Sequence, residues 1–429
     1  MHKHPKIKEE FLHYIWKNNL FNKDALIDSE GNKITVINTG LQNHDAGPDF
    51  FNAKIKIGNT IWAGNIEIHT KSSFWETHKH NTDKAYDNLI LHIVYEHDKD
   101  VFNTKGEKIL TSELKFDKKY FINYEQLIKS EDTIACKNYI NETESFILNS
   151  WFTSLLIERI EQKTSYLKQI LEFTNNNWEE AFYISLARAF GFKVNSEPFE
   201  LLAKTLPSII LAKNKNNIFQ LEALLFGQAG MLNNSDIEDD YFVSLQKEYK
   251  FLKGKYKLKS IEPHLWKFLR IRPSNFSTLR ISQFANLINK SSHLFSKTLE
   301  CKTIKDLINM FDLQASEYWN NHYTFGKISK KQIKTFGKNA SENIIINTVI
   351  PIMFLYGKEK AKNEIQDKAI NLLEELKPEN NKIINKWKNV GLEIKNAYFS
   401  QSLIQLHNEY CVKKRCLNCR IGNKYLNNK

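Results

Sequence analysis

Asp49 and Glu67 are the residues from which chemistry can be read first. Asp49 follows Pro48 where a strand is expected to begin, and Glu67 comes eighteen residues later on the next one. If the two strands pair through the Gly58-Asn59 turn, their carboxylates converge. Two such carboxylates suit Mg²⁺ or Mn²⁺, which would lower the pKa of a bound water and offset charge on a phosphoryl oxygen. Period-two alternation puts Glu67, His69 and Lys71 on one strand face, successive residues about 6–7 Å apart. A base or cation two residues beyond a metal ligand is placed to orient an attacking water. The plain alternative is a hairpin with a Pro-Asp turn and an exposed strand glutamate.

A second constellation overlaps the first. His78 and His80 are followed by Asp83 and, on the next strand, by His92. An H-x-H pair with Asp and a remote His suits Zn²⁺ or Fe, or can serve acid–base chemistry beside a phosphate. The same residues also read as a polar loop rich in histidine.

The pattern P-D, seventeen residues, then E-I-H, with strands on both sides and a helix before, resembles the PD-(D/E)xK nuclease superfamily. That resemblance implies that Asp49 and Glu67 are metal ligands and that Glu10 on the preceding helix is a third carboxylate. The superfamily usually has lysine where this chain has His69. Either His69 replaces it, or Lys71 reaches in from the next position on the same face.

The C-terminal cysteines Cys411, Cys416 and Cys419 follow a C-x4-C-x2-C spacing. Three thiolates leave a tetrahedral site one ligand short, and Cys136 or Cys301 would complete it. Cys136 is preferred because it lies at the expected domain junction. Zn²⁺ or a [4Fe–4S] cluster fits four cysteines. One remote cysteine plus a C-terminal trio is similar to the iron–sulfur staple of some PD-(D/E)xK nucleases, although there the remote cysteine precedes the nuclease motif. Free or buried thiols are the bland alternative.

Arg270, Arg272 and Arg280 stand among Trp266, Phe268 and Phe276, a mixture suited to phosphates and stacked bases. Ordinary surface arginines around a Pro273 turn read equally well. The net charge of +12 rests on 61 Lys plus Arg against 49 Asp plus Glu. That balance favours a polyanion such as nucleic acid as partner. Only seven of the 61 are arginine, a skew that looks like an AT-rich genome, so the charge carries little weight.

The elements that must position these groups fall into two regions. An amphipathic helix is expected over 6–20 and strands over 33–38, 51–57, 60–69 and 88–95. A hairpin over 101–114 turns near Lys105-Gly106. Helical spacing takes over from about 120. The expected fold is an α+β or α/β N-terminal domain, residues 1–135, with a small mixed sheet and a flanking helix. A large all-α region, residues 136–429, follows and ends in the cysteine motif. Hydrophobic residues at 41% suffice for buried cores. No run approaches the roughly 20 apolar residues that span a bilayer, and the charged N-terminus lacks a secretory signal. A cytoplasmic protein is therefore expected, with no membrane partner.

The segments EEFLHYIW, DAGPDFFNAKI, WAGNIEIHTKSSFW, HKHNTDKAYDN, EALLFGQAG, FLRIRPSNF and YCVKKRCLNC resemble, over nearly the whole chain, a bacterial family designated only as domain of unknown function 2851. That resemblance implies one integrated protein and no particular substrate. The leading expectation is a metal-dependent phosphodiesterase on DNA or RNA. The rivals are a non-catalytic nucleic-acid-binding or scaffold protein with a degenerate nuclease shell, and a His/Asp metallohydrolase using His78, His80, Asp83 and His92.

Overall fold

The structure is a computed structural model that describes residues 7–234 and 236–427. Helix α1 (Glu9–Lys17) starts two residues after Ile7, later than its apolar stripe predicts, and Lys6 lies outside the described residues. Its Phe11, Leu12, Ile15 and Trp16 are fully buried against a mixed sheet. Burying each such side chain contributes about 1.5–3 kcal/mol.

The sheet consists of β1 (Ile34–Asn38), β2 (Leu41–Gln42), β3 (Phe50–Ile57), β4 (Thr60–Lys71), β5 (Leu89–Glu96) and β6 (Thr111–Glu113). Its order is β1-β3-β4-β5-β6, with β2 paired on β3. β3 and β4 are antiparallel across the expected two-residue turn, where Gly58 has φ +57°. β5 joins β4 in parallel, because residues 72–88 cross over one face and include the short helix α2 (Phe74–Thr77). The 101–114 segment makes only one bridge of the expected hairpin, Phe102 to Lys108. Its second arm instead becomes β6, parallel to β5.

Ile66, Glu67, Ile68 and His69 are all buried, so both faces of β4 are covered. Ile66 and Ile68 face the α1 core with Leu91 and Ile93. Alternation turns Glu67 and His69 to the other face. There Trp75 and Tyr86 from the crossover pack with Val101 and Ile109 in a separate small core. Helix α3 (Lys118–Lys129) adds Phe121, Tyr124 and Leu127 to the α1 core, and the C-terminal helix Arg420–Asn427 adds Tyr425 and Leu426.

The chain divides into two units. Met1–Trp151 and Leu406–Lys429 form the first, and Phe152–Gln405 forms the second. The junction expected at 135/136 thus falls sixteen residues later, and the cysteine motif folds with the N-terminal unit rather than with the helical one. The reason is the packing of Tyr425 and Leu426 beside α1 and α3. The second unit is helical around one continuous core, and also holds a two-stranded hairpin, His322–Thr324 with Lys327–Ile328. Its helical run Lys338–Glu359 is long and apolar enough to cross a membrane by length and composition, which corrects the expectation that no such run exists. Of its most apolar window, 72% is buried inside the protein.

Gly64 shows how tightly β4 is held. A Cβ there would lie 2.5 Å from Ile90 Cγ2 and 2.7 Å from the Asn88 carbonyl oxygen. Gly64→Ala is expected to destabilise the protein by about 1–3 kcal/mol. Gly254→Ala, in a helix with open space at that position, should be neutral or stabilising by up to about 1 kcal/mol. Urea denaturation of both variants checks the contrast, and equal stabilities would contradict it.

Candidate metal centre

Register brings Asp49 and Glu67 together. Phe50 pairs with Ile66 and Ala53 with Gly64, so β3 carries one extra residue there. Asn52 absorbs it with φ +56°, the signature of a bulge that re-aims the strand. Asp49 consequently lies beside Glu67. The Asp49 backbone N–H donates to Glu67 Oε2 at 3.1 Å, and the Ile68 N–H donates to Asp49 Oδ2 at 2.9 Å.

Imidazoles surround this pair. His13, from α1, places Nε2 3.2 Å from Asp49 Oδ2. His80 Nε2 and His69 Nε2 lie 3.3 and 3.5 Å from Glu67 Oε1. His69 Nε2 is also 3.0 Å from His78 Nδ1, and its Nδ1 is 2.9 Å from His92 Nε2. His92 sits directly across from Glu67 in the β4–β5 register. The crossover delivers the H-x-H pair. Lys79, between the two histidines, has φ +63° and turns the chain sharply. Trp75 and Tyr86 then hold the His80 ring at centroid distances of 5.2 and 3.9 Å.

Among the described residues, one group of ligand atoms lies mutually within 4.8 Å, that of His69, His78 and His80. Glu67 Oε1 adds a carboxylate oxygen to it. Three imidazole nitrogens and one oxygen form a donor set for a first-row transition ion more than for Mg²⁺, which prefers all-oxygen sites.

The electrostatics keep the nitrogens available. Burial, reinforced by the neighbouring imidazoles, lowers His69 to about 2 and His92 to about 3. Both rings are therefore neutral near pH 7, the form that binds metal. Burial raises Glu67 above the usual carboxylate range, and the Asp49 charge adds to the effect while His80 opposes it. Burial works against protonating His13, but its contact with Asp49 outweighs this and raises it.

Asp49, Glu67, His69, His78, His80 and His92 thus gather, joining two constellations that the sequence separates. Other expected residues lie elsewhere. Glu10 accepts a 2.5 Å hydrogen bond from Tyr124 Oη and leaves its side chain 57% exposed. His13, one turn later on α1, reaches Asp49 instead. Its place near the apolar stripe of α1 was the only sequence signal. Lys71 is engaged with Glu96, its cross-strand neighbour, at 3.0 Å. Asp83 caps the turn Lys84–Tyr86 by accepting from the Ala85 N–H at 2.9 Å.

In the helical unit, Arg280 is buried between the Phe192 and Phe336 rings, 4.9 and 4.7 Å from their centroids. It donates to Asn275, Gln283 and the Phe336 carbonyl, which corrects its reading as a nucleic-acid contact. Arg270 and Arg272 are exposed. Trp266 is buried and donates to the Ala229 carbonyl, and Phe268 packs on Phe276. These aromatics are therefore engaged in the fold.

Cys136, Cys411, Cys416 and Cys419 meet in the first unit, lining one cavity of about 20 Å³. Cys301 lies in the other unit. No disulfide joins the five cysteines.

The family model described as "Protein of unknown function (DUF2851)" matches residues 9–382. That span includes every histidine and carboxylate of the centre and stops short of Cys411. No curated protein and no solved structure matches the chain.

The depressed histidines carry a pH signature. Below their ordinary value of 6.5, the unfolded chain takes up protons that native His69 and His92 refuse. Stability therefore falls with falling pH, by up to about 1.4 kcal/mol per pH unit for each ring. His13 and Glu67, both raised, act in the opposite sense, but the two deep depressions dominate. Chelator-treated protein should show a melting temperature that drops from about pH 6.5 to about pH 5. His92→Leu should flatten that drop, and a pH-independent wild-type curve would contradict the buried neutral pair.

Proposed function

We propose that this chain, which belongs to the DUF2851 family, is a metal-dependent phosphodiesterase acting on nucleic acid. The observation that carries the reading is the convergence of His69, His78 and His80 within 4.8 Å beside the Glu67 carboxylate. Asp49 lies against Glu67 through the β3–β4 register, and this acidic pair supports the reading.

Glu67, His69, His78 and His80 would hold the ion, with Mn²⁺, Zn²⁺ or Fe²⁺ favoured by the nitrogen donors. Such an ion, when bound, lowers the pKa of water and offsets charge on a phosphoryl oxygen. His92, through its 2.9 Å contact with His69 Nδ1, fixes which nitrogen of His69 faces the ion. His13 and Asp49 form a neighbouring proton-transfer pair, one group accepting from an attacking water and the other protonating a leaving oxygen. Lys71 takes no part, being paired with Glu96.

A second reading, a metallohydrolase acting on a bond other than a phosphodiester, rests on the same imidazole trio, and substrate choice separates the two. Full-length protein with Mn²⁺ or Zn²⁺ should cleave single- or double-stranded DNA or RNA, or a bis-aryl phosphodiester. Glu67→Gln and His69→Ala should each lower that rate by about 100-fold or more, and His92→Leu should weaken metal binding about 10–100-fold. Lys71→Ala should leave the rate unchanged. Stoichiometric metal that is lost in His78→Ala, with no phosphodiester cleaved by wild type, would discard the phosphodiesterase and keep the second reading.

A further inference from the structure

We propose that Cys136, Cys411, Cys416 and Cys419 bind one [4Fe–4S] cluster that fastens the C-terminal helix to the N-terminal unit. The four thiols come from sequence positions 275 residues apart, yet line one small cavity with Leu127, Tyr410 and Gly422. Cys419 is buried and the other three are half-buried, and no sulfur is bonded to another. A metal centre takes the thiolates, releasing the protons to solvent.

The spacing distinguishes between a single ion and a cluster. Zinc holds four thiolates at about 2.3 Å, which sets the sulfurs about 3.8 Å apart and leaves no room for a water among them. Among the described residues, the only ligand group within 4.8 Å is the histidine trio, so no three of these sulfurs approach that closely. A cubane, with one thiolate on each iron corner, suits wider sulfurs around a central void.

The surrounding chain is built for this. Lys414 has φ +53°, turning the chain between Cys411 and Cys416. Its ammonium donates to the Ser130 and Asp132 carbonyls, and its charge bears on Cys411 and Cys416. Cys419 begins the C-terminal helix, where the Ile421 and Gly422 N–H groups donate to its sulfur. A Cβ on Gly422 would lie 2.2 Å from the Cys416 carbonyl oxygen, so only glycine lets the helix start against that turn. The same helix carries Tyr425 and Leu426 into the core shared with α1. The cluster therefore supports the helix that presents His13.

The test is anaerobic purification of the full chain, followed by reconstitution with ferrous and ferric iron in equal amounts and sulfide. Brown charge-transfer absorbance is expected, with iron and acid-labile sulfide each near roughly four per chain. Cys301→Ser should retain the cluster, and Cys136→Ser should lose it. Should Cys136→Ser fail to fold, wild type supplies the readout. Four of its five thiols should resist alkylation until iron is stripped, then react. One zinc per chain without sulfide, or five freely alkylated thiols and no metal after reconstitution, would overturn the proposal.

Discussion

The centre depends on the paired hydrogen bonds between Asp49 and β4. The Asp49 N–H donates to Glu67, and the Ile68 N–H donates to Asp49. These bonds exist because β3 holds one residue more than β4 between its pairings with Ile66 and Gly64. A one-residue slip would turn Glu67 and His69 toward the hydrocarbon of α1 and expose Ile66 and Ile68. Isoleucines on one face and ionisable groups on the other therefore specify the same register. Gly64 adds to it, since any side chain there would strike the neighbouring strand.

Upon that register stands a layer that few sheets carry, a buried polar face. Glu67, His69 and His92 lie side by side with almost no solvent contact. Buried polar groups are costly unless they find partners. Here they find mostly one another, through nitrogen–nitrogen and nitrogen–oxygen contacts of 2.9–3.5 Å. His92 Nδ1 has no hydrogen-bond partner among the described residues. Such a layer costs stability, and the binding of a cation would offset that cost by giving neutral imidazoles and a carboxylate a common partner. The small Trp75 core packs against the imidazole side, where His78 remains exposed to solvent.

The remainder of the first unit supports this layer from behind. α1 packs on the opposite face of the sheet and sends His13 to Asp49. α3 and the C-terminal helix then pack on α1. Residues 406–427 thus belong with the N-terminal sheet although more than 250 residues of mostly helical chain intervene. The four cysteines mark where the returning segment meets the turn after α3.

Strands β1, β3, β4 and β5, the Gly58-Asn59 turn, the approach of Asp49 to Glu67 and a preference for Cys136 over Cys301 were legible in the sequence, whereas β2 and the parallel β6 were not. The strands and the turn follow from local periodicity and turn chemistry, and the preference for Cys136 from its place near the end of the first region, all of which can be read in short stretches of residues. Only the folded chain joined Glu67 and His69 to the cluster of His78, His80 and His92, because a parallel strand and a crossover bring them together across 23 residues. It alone put His13 rather than Glu10 beside Asp49, since the two differ by the rotation of one helix on a sheet. It alone withdrew Lys71 and Arg280, whose charges are engaged by Glu96 and by two aromatic rings. A residue's type states what it can do chemically, but its availability depends on neighbours that the chain supplies from a distance.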